Sequence, residues 1–458
     1  MLNINILEQL LVKTHSCSSI FVNDQYFSFL FIFHSETDIM KIIEWRRWVM
    51  NYIETVEKYA QTVVTVGLNV QPGQTLVINS DIDAIDFVRA VTKAAYERGA
   101  HNVIQKLTDG PSRQLDFEYA PVEVFETVKQ YKIDEVNDFI EQKVAHLRIY
   151  SQTPELLKDA APDKIAALAK ASGEMNKDFA RAVGRYDFSW CIVAFPNDKW
   201  GELVFPKEKG EAAKLKLLDA MIKAVRVDKE DPVQAWKEHN DNLNARANRL
   251  NELNFDKLHY YSERTDVEIG LTKGHRWLGA STKNADGVEI QVNMPTEEVF
   301  TSPDYRRVNG VIGNTRPLAY QGAIIDDFKL TFKDGVVTDF EAGQGYEVLK
   351  NLLNNDEGAR RLGEIALVPD DSPISNSGIL YYNTLYDENA SCHVALGRSF
   401  PNAIEGGKDL SKDELFDKGL NHSLVHVDFM MGSSDLNIDG VYEDGSTIPV
   451  FKDGNWVI

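Results

Sequence analysis

A strand, a helix and a second strand follow one another in the pattern of residues 75–107, and this order constrains the fold more than any other feature. The apolar run 75–78 predicts a short strand, and the periodicity over 84–98 predicts a helix with Asp81 and Asp83 as candidate caps. The run 101–107 predicts the next strand. Because a helix joins the two strands, the sequence predicts a parallel sheet with a right-handed crossover.

Further strand-like runs extend this pattern toward the middle of the chain. They lie at 146–150 and 190–195, and they alternate with helical patterns at 160–182 and 211–225. A long polar helical stretch at 233–253 follows as a connector. This half carries neither GxGxxG after a strand nor GxxxxGK[ST], so it has no nucleotide-binding signature. We therefore predict an α/β N-terminal domain over 50–253, built on an open parallel sheet and ending in the connector helix.

The pattern of apolar and polar residues changes after Asn254, where short alternating runs replace the helical periodicity. These runs lie at 264–271, 287–293, 328–340 and 424–430, and hairpin-like turns such as 333–335 separate them. A helix is expected near 346–362. The pattern predicts an α+β, β-rich C-terminal domain over 254–458, and a chain of 458 residues is long enough for two cores.

Residues 1–49 differ in character from the rest of the chain. The run 26–33, YFSFLFIF, is apolar and aromatic but too short to span a bilayer. Polar residues at 23–25 interrupt the order expected of a signal peptide. We predict an atypical N-terminal extension, and we hypothesise that Met50 is the natural start.

The charge and the cysteines narrow the class of protein. The formal net charge of -21, from 49 basic and 70 acidic residues, repels phosphate backbones, so nucleic acid is not an expected partner. No membrane partner is expected either. The three cysteines, Cys17, Cys191 and Cys392, lie far apart and form no CxxC pair, which fits a reducing cytoplasm.

Chemistry-bearing residues concentrate between 382 and 428. His426 and Asp428 lie two residues apart in HVD, so a strand would place both on one face. His393 opens another strand-like run, shortly after the acidic pair Asp387 and Glu388. Imidazole and carboxylate groups that converge in this way suit a zinc, cobalt or manganese ion. From these residues alone, a metal site and a set of structural histidines both remain open.

Two acidic segments lie upstream of this stretch. MPTEEVFTSPD, at 294–304, carries a Glu-Glu pair between two prolines, which is compatible with a rigid ligand or with a solvated loop. Glu364 begins an otherwise apolar strand in GEIALV. A buried carboxylate needs a partner, either a metal ion or an arginine such as Arg360 or Arg361.

Five segments together resemble a known family, the metal-dependent aminopeptidases that include aminopeptidase T and aminopeptidase S. The resemblance covers about 51–458. It is carried by YIETVEKYAQTVVTVGLNVQPGQ, MPTEEVFTSPD, GARRLGEIALVPDDSPI, NTLYDENASCHVALG and HVDFMMGSSDLNIDG.

The resemblance implies a set of site residues. The expected metal ligands are Glu298, Glu364, Glu388, His393, His426 and Asp428, with Glu298, Glu364 and His393 also expected to be catalytic. Glu364 would bridge two divalent metal ions. Glu297 and Cys392 are expected to face away from the site, and His422 is expected to be structural.

The resemblance also implies an activity, which is the hydrolysis of the N-terminal residue from peptides by a water that two metal ions activate. The ions would be Zn, Co, Mn or Mg, the substrates would be peptides with a free N-terminus, and the protein would be a homodimer. One position departs from the family, because Phe400 stands where the pattern has a tyrosine near the metals. Either the tyrosine hydroxyl is not required or activity is reduced, and Tyr381 and Tyr382 are candidates to supply a hydroxyl in its place. The alternatives are a related metal-dependent amidase or dipeptidase, and a catalytically weak peptide-binding protein.

Overall fold

The computed structural model describes residues 19–23, 28–32, 50–154, 156–157, 159–279, 281–320 and 323–458. Within the N-terminal extension, the strands Ser19–Asn23 and Ser28–Ile32 pair antiparallel. The predictions made for the remainder of 1–49 fall outside the described residues.

Four parallel strands form the sheet of the N-terminal half, as the β-α-β pattern predicts. In spatial order they are Asn102–Thr108, Thr75–Asp81, Ala145–Tyr150 and Trp190–Ala194. The two central strands are buried on both faces, through Leu76, Val77 and Ile78 in one strand and Ala145, His146, Leu147 and Ile149 in the other. The prediction of a parallel α/β region is therefore confirmed.

Helices lie in both halves of the chain, and those of the first half include the ones that pack against the parallel sheet. The helical segments are 50–62, Ile85–Glu97, Gly110–Tyr119, Val122–Glu126, Gln130–Glu141, Pro162–Met175, Lys177–Arg185, Asp198–Val204, Gly210–Ala224, Pro232–Leu253, Tyr346–Leu353, Pro373–Ser377, Thr384–Asp387 and Lys412–Asp417.

Two predicted helices differ from those observed. The helix predicted at 160–182 is observed as two helices that meet at Asn176, whose side chain and backbone N–H both donate to the carbonyl of Ser172 at 2.9 Å. The helix predicted near 346–362 ends at Leu353, because the chain must turn before it enters a buried strand.

The predicted caps at 84–98 are also wrong. Ala84 precedes the helix and no side chain caps it. Asp81 instead accepts a hydrogen bond from Thr108 Oγ1 at 2.7 Å, and Asp83 accepts one from Asn197 at 3.3 Å. Both carboxylates therefore bond residues that follow neighbouring strands, and the local sequence does not show these distant partners.

The second half is rich in strands, as the alternating runs predict. One large sheet contains, in order of pairing, the strands Leu318–Tyr320, Ala323–Lys333, Pro303–Gly313, Asp266–Leu271, Lys257–Tyr261, Asn437–Val441, Thr447–Lys452 and Asn455–Trp456. The strand Val336–Gln344 also belongs to this sheet, and it pairs with Ala323–Lys333 along the edge opposite to Pro303–Gly313. Ser281–Lys283 and Glu289–Gln291 form a short hairpin. The predicted turn at 333–335 does join two long strands, with Asp334 and Gly335 at positive φ.

A second, four-stranded sheet lies beside the large one, and we refer to it as the ligand sheet. Its antiparallel strands are, in order, Val299–Thr301, Leu362–Leu367, His393–Gly397 and His426–Met430. The helix Pro232–Leu253 lies between the α/β half and this β-rich half in the chain. The exact domain boundaries stay a prediction. Among the described residues, no helix combines the length and apolar character needed to cross a bilayer.

Candidate metal centre

The ligand sheet has one polar face and one apolar face, because side chains alternate along each strand. In register, Glu364 lies opposite Ala395, and Ala395 lies opposite Asp428. His393 and His426 are each two residues from a member of that row, so they share its face. The other face packs into the core through Ile365, Leu367, Val394, Leu396, Val427 and Phe429. The apolar face fixes the register, and the register brings the polar side chains together.

Glu298, Glu364 and His393 form the first group on the polar face. The Nε2 atom of His393 lies 3.1 Å from Oε2 of Glu298. One potential ligand atom from each of the three residues lies within 4.8 Å of the others. Glu298 stands immediately before the strand Val299–Thr301, which pairs with the strand of Glu364 and so holds the first acid against the sheet.

Glu364, His426 and Asp428 form the second group. The Nε2 atom of His426 lies 2.9 Å from Oε2 of Glu364 and 3.4 Å from Oδ1 of Asp428. Potential ligand atoms of these three residues also lie within 4.8 Å of one another. Glu364 thus belongs to both groups, at the centre of the candidate site.

Both histidines present the same ring nitrogen to the carboxylates. Nδ1 of His393 lies 3.2 Å from the carbonyl oxygen of Ser391, and Nδ1 of His426 lies 2.7 Å from that of Arg398. Each Nδ1–H can donate to its carbonyl, which leaves Nε2 as the atom free to bind a metal. Metal-binding histidines are commonly oriented in this way.

The electrostatics of the site show an excess of negative charge. Burial lowers the pKa of His393, but the hydrogen bond and charge of Glu298 outweigh it and raise that pKa to about 10. Burial opposes protonation of His426 too, yet Asp428 and Glu364 raise its pKa well above the usual range. Burial raises the pKa of Glu364 to about 7, although its hydrogen bond with His426 acts in the opposite direction. The carboxylates thus favour a positive charge beside them. Protonated imidazoles supply it here, and divalent cations would supply it when bound.

The donor set fits divalent metal ions. Carboxylate oxygens and imidazole nitrogens suit zinc, cobalt and manganese, and the oxygens suit magnesium. Cys392 does not contribute, because its side chain is 1% exposed in the apolar core and its thiol donates to the carbonyl of Val368 at 3.3 Å. Cys191 and Cys392 are both free and buried.

Glu364 does not pair with either arginine considered from the sequence. Arg360 donates to the carbonyl of Val337 and to Asn354, while Arg361 lies over the ring of Tyr305. Both arginines therefore contact strands of the large sheet, Val336–Gln344 and Pro303–Gly313. His426 is the partner of the buried carboxylate.

Glu388 lies beside the two groups rather than within either of them. Burial raises the pKa of its carboxyl well above the usual range, and the charges of Asp428 and Glu298 add to that effect. The charges of those two carboxylates therefore act on Glu388 as well. In the described part of the chain, neither close group of ligand atoms includes it.

Glu297 faces away from the metal centre, and His422 lies outside it. Glu297 forms a buried ion pair with Arg226 at 2.7 Å, and its backbone N–H donates to Asn389 Oδ1 at 2.7 Å. His422 instead bonds the carbonyl of Lys412 at 2.5 Å, away from both groups.

The ring of Phe400 lies against a proposed ligand, since its centroid is 4.8 Å from that of His426. Tyr381 does not compensate, because it is 1% exposed and its ring stacks on Tyr386 at 4.6 Å. Tyr186, from the other half of the chain, was not anticipated, and no local motif marks it. Ala395 was also missed, although its spacing of two from His393 places it on the polar face.

Comparison with known proteins places the chain in a family. The profile of the family described as thermophilic metalloprotease (M29) matches residues 52–456. Aminopeptidase 2 of Geobacillus stearothermophilus is 45% identical over 401 residues, which are 88% of this chain and 97% of that protein. Aminopeptidase PepS of Streptococcus thermophilus is 44% identical over 409 residues, or 89% of this chain and 99% of that protein.

A solved structure agrees with these sequence matches. Wild-type AmpT from Thermus thermophilus superposes with a TM-score of 0.83 at 36% identity, covering 88% of this chain and 99% of that chain. The similarity therefore includes both the α/β half and the β-rich half that carries the site. On these matches the chain belongs to the M29 family of thermophilic metalloproteases.

Proposed function

We propose that this chain is a metal-dependent aminopeptidase that hydrolyses the N-terminal residue from peptides, with two divalent cations held on the ligand sheet. One cation is bound by Glu298, Glu364 and His393, and the other by Glu364, His426 and Asp428. The observation that carries the proposal is the membership of Glu364 in both groups of ligand atoms. The aminopeptidase names of the relatives support the reaction.

The charge of the site supports two cations rather than one. Glu298, Glu364, Glu388 and Asp428 bring four interacting carboxylates to the site, and two divalent ions would neutralise them. When bound, the ions supply Lewis-acid chemistry that polarises the scissile carbonyl and eases deprotonation of a water. Zinc, cobalt, manganese and magnesium all suit the donor set, so the identity of the ions stays open to measurement.

The remaining steps belong to side chains of this protein. The acidic cluster attracts the free α-amine of the substrate, which restricts cleavage to the N-terminus. The carboxylate of Glu388, which interacts with Asp428 and Glu298 of the cluster, would accept the proton of the attacking water and pass it to the leaving amine. His393 and His426, fixed through their Nδ1 atoms, keep Nε2 directed at the cations.

The decisive experiment combines metal content with turnover. Protein dialysed against a chelator and then reloaded with zinc or cobalt is assayed on leucine p-nitroanilide and on the N-acetylated analogue. We expect cleavage of the free-amine substrate only, with activity that returns on metal addition. Equal cleavage of both substrates would indicate an amidase, and bound metal without turnover would indicate a peptide-binding protein.

The homodimer and the cytoplasmic location are further parts of this proposal. The homodimer rests on the family resemblance, and the cytoplasmic location rests on the cysteine pattern. Light scattering on the purified protein measures the first. A single-chain mass would remove the homodimer from the proposal while leaving the site intact.

A further inference from the structure

Tyr186 extends from the α/β half of the chain toward the metal centre. It follows the helix Lys177–Arg185 and adopts the left-handed conformation, with φ at 57°. Its carbonyl accepts a hydrogen bond from the N–H of Ala285 at 2.9 Å. Left-handed backbone is uncommon for a residue with a side chain, but it is typical of helix ends. The backbone of Tyr186 is therefore held from both sides.

The phenol oxygen of Tyr186 reaches a turn that follows the strand His393–Gly397 of the ligand sheet. The side-chain N–H of Asn402 donates to this oxygen at 2.8 Å. Asn402 lies in the short turn Pro401–Ala403, directly after Phe400, whose ring contacts His426. A hydroxyl from another part of the fold therefore stands next to the position where the family pattern has its tyrosine.

Two of the candidate ligands act on the pKa of Tyr186, in agreement with the position that its hydrogen bond with Asn402 gives the hydroxyl. Burial raises the pKa of Tyr186 to about 12, the bond from Asn402 opposes this, and the charges of Glu364 and Glu298 add to it. The phenol thus senses one carboxylate of each candidate ion site. At neutral pH it keeps its proton and can donate it.

Two contacts hold the ring in place. The ring of Trp190 stacks on it with centroids 6.2 Å apart and planes at 11°, and Nζ of Lys408 lies 4.7 Å from its centroid. Because Asn402 already donates to the phenol oxygen, the O–H hydrogen stays available for another acceptor. A donor fixed in advance is most effective when charge develops on a substrate oxygen.

We propose that the Tyr186 hydroxyl donates a hydrogen bond to the scissile carbonyl oxygen as the tetrahedral intermediate forms, taking the part that Phe400 cannot take. This inference rests on the proposed aminopeptidase function. Tyr186 keeps its proton throughout, and no bond to it forms or breaks. Asn402 acts as the positioning residue that holds the phenol oxygen.

The test compares Tyr186→Phe with Tyr381→Phe, a buried phenol that stacks elsewhere, in metal-loaded protein. Removing one oxyanion donor costs about 100-fold in kcat, so Tyr186→Phe should lose about that factor with KM little changed. Tyr381→Phe should keep the kcat of the wild type. In a Tyr186→Phe background, Phe400→Tyr should restore a large part of the loss.

A second readout does not depend on turnover. The phosphonic acid analogue of leucine mimics the tetrahedral geometry, and calorimetry measures its binding to each metal-loaded variant. Tyr186→Phe should weaken this binding by about 10-fold or more while bound metal per chain stays unchanged. Asn402→Ala should show a smaller loss, and it replaces Tyr186→Phe if that variant fails to fold.

The outcomes separate the two proposals. Wild-type protein that binds metal but cleaves no aminoacyl substrate overturns the function, and the phosphonate titration then still reports on Tyr186. Active wild-type protein with a Tyr186→Phe variant within twofold of it in kcat and in phosphonate affinity overturns the role of Tyr186.

Discussion

Oε2 of Glu364 lies 2.9 Å from Nε2 of His426, although the strands that carry them are not neighbours in the ligand sheet. The strand His393–Gly397 runs between them and presents the small side chain of Ala395 to the gap. Glu364 and His426 therefore approach each other over the strand that lies between them, and the same strand supplies His393.

Removing the shared carboxylate should affect metal binding more than removing a ligand of one group. Glu364→Gln should leave well below about one ion per chain, because both groups lose a ligand, whereas His426→Ala should retain roughly one. Plasma mass spectrometry of dialysed protein measures the difference. His422→Ala, outside both groups, should bind as much metal as the wild type. Equal metal in the Glu364→Gln variant and the wild type would contradict the shared role.

Enlarging Ala395 should disturb the metal centre from within the sheet. Ala395→Val adds methyl groups between Glu364 and Asp428, and we expect metal affinity to fall by about 10-fold or more. Overpacking should also destabilise the fold by about 1–3 kcal/mol. Val394→Ile provides the matched control, because it overpacks the apolar face of the same strand and should leave metal affinity unchanged. Competition with a metal indicator dye gives the affinities.

The ion pair next to Glu298 should be important for stability. Arg226 and Glu297 have side chains only 11% and 6% exposed, and burial raises the pKa of Glu297 to about 6 despite the arginine. Arg226→Met removes the charged partner of this buried carboxylate, which then has only Nε2 of His239 at 3.6 Å, and should cost about 3–5 kcal/mol in unfolding free energy, measured by urea denaturation.

Two controls accompany that measurement. Lys237→Met, which breaks the exposed pair with Asp241, should cost less than about 1 kcal/mol. Adding Glu297→Gln to Arg226→Met should recover part of the loss, since the neutral amide no longer buries a charge. A double variant less stable than Arg226→Met would argue against this explanation.

His146 should make the fold sensitive to acid. Its ring is packed by Phe139, Phe179 and Phe188, and within the described residues neither ring nitrogen has a hydrogen-bond partner. Burial, with the charge of Lys106 adding to it, lowers the pKa of His146 from 6.5 to about 3.

The sign of the pH dependence follows from that shift. Below pH 6.5 the unfolded chain binds a proton that the folded chain does not, so this contribution is complete above pH 6.5 and declines as the pH falls toward 3. The slope is at most about 1.4 kcal/mol per pH unit. His146→Phe should flatten the acid side of the stability profile, measured by urea denaturation between pH 4 and 7, whereas substitution of exposed His101 by Gln should not. An unchanged slope in His146→Phe would contradict the prediction.

Local sequence was informative wherever a periodic pattern coincided with a single element. The alternation in HVD predicted His426 and Asp428 on one face of a strand, and in the structure Nε2 of His426 lies 3.4 Å from Oδ1 of Asp428. The β-α-β pattern predicted the parallel sheet. Helix ends were less predictable, because the helical periodicity runs without interruption across Asn176, where the structure has two helices.

The sequence by itself determined which residue types stand on which face of each strand, because that alternation is a local property of the backbone. Only the tertiary structure decided that Glu364 pairs with His426 and not with Arg360 or Arg361, and that Tyr186 reaches the turn after Phe400. Such contacts join residues far apart in the chain. They depend on strand register and on packing between the two halves, which no local pattern records.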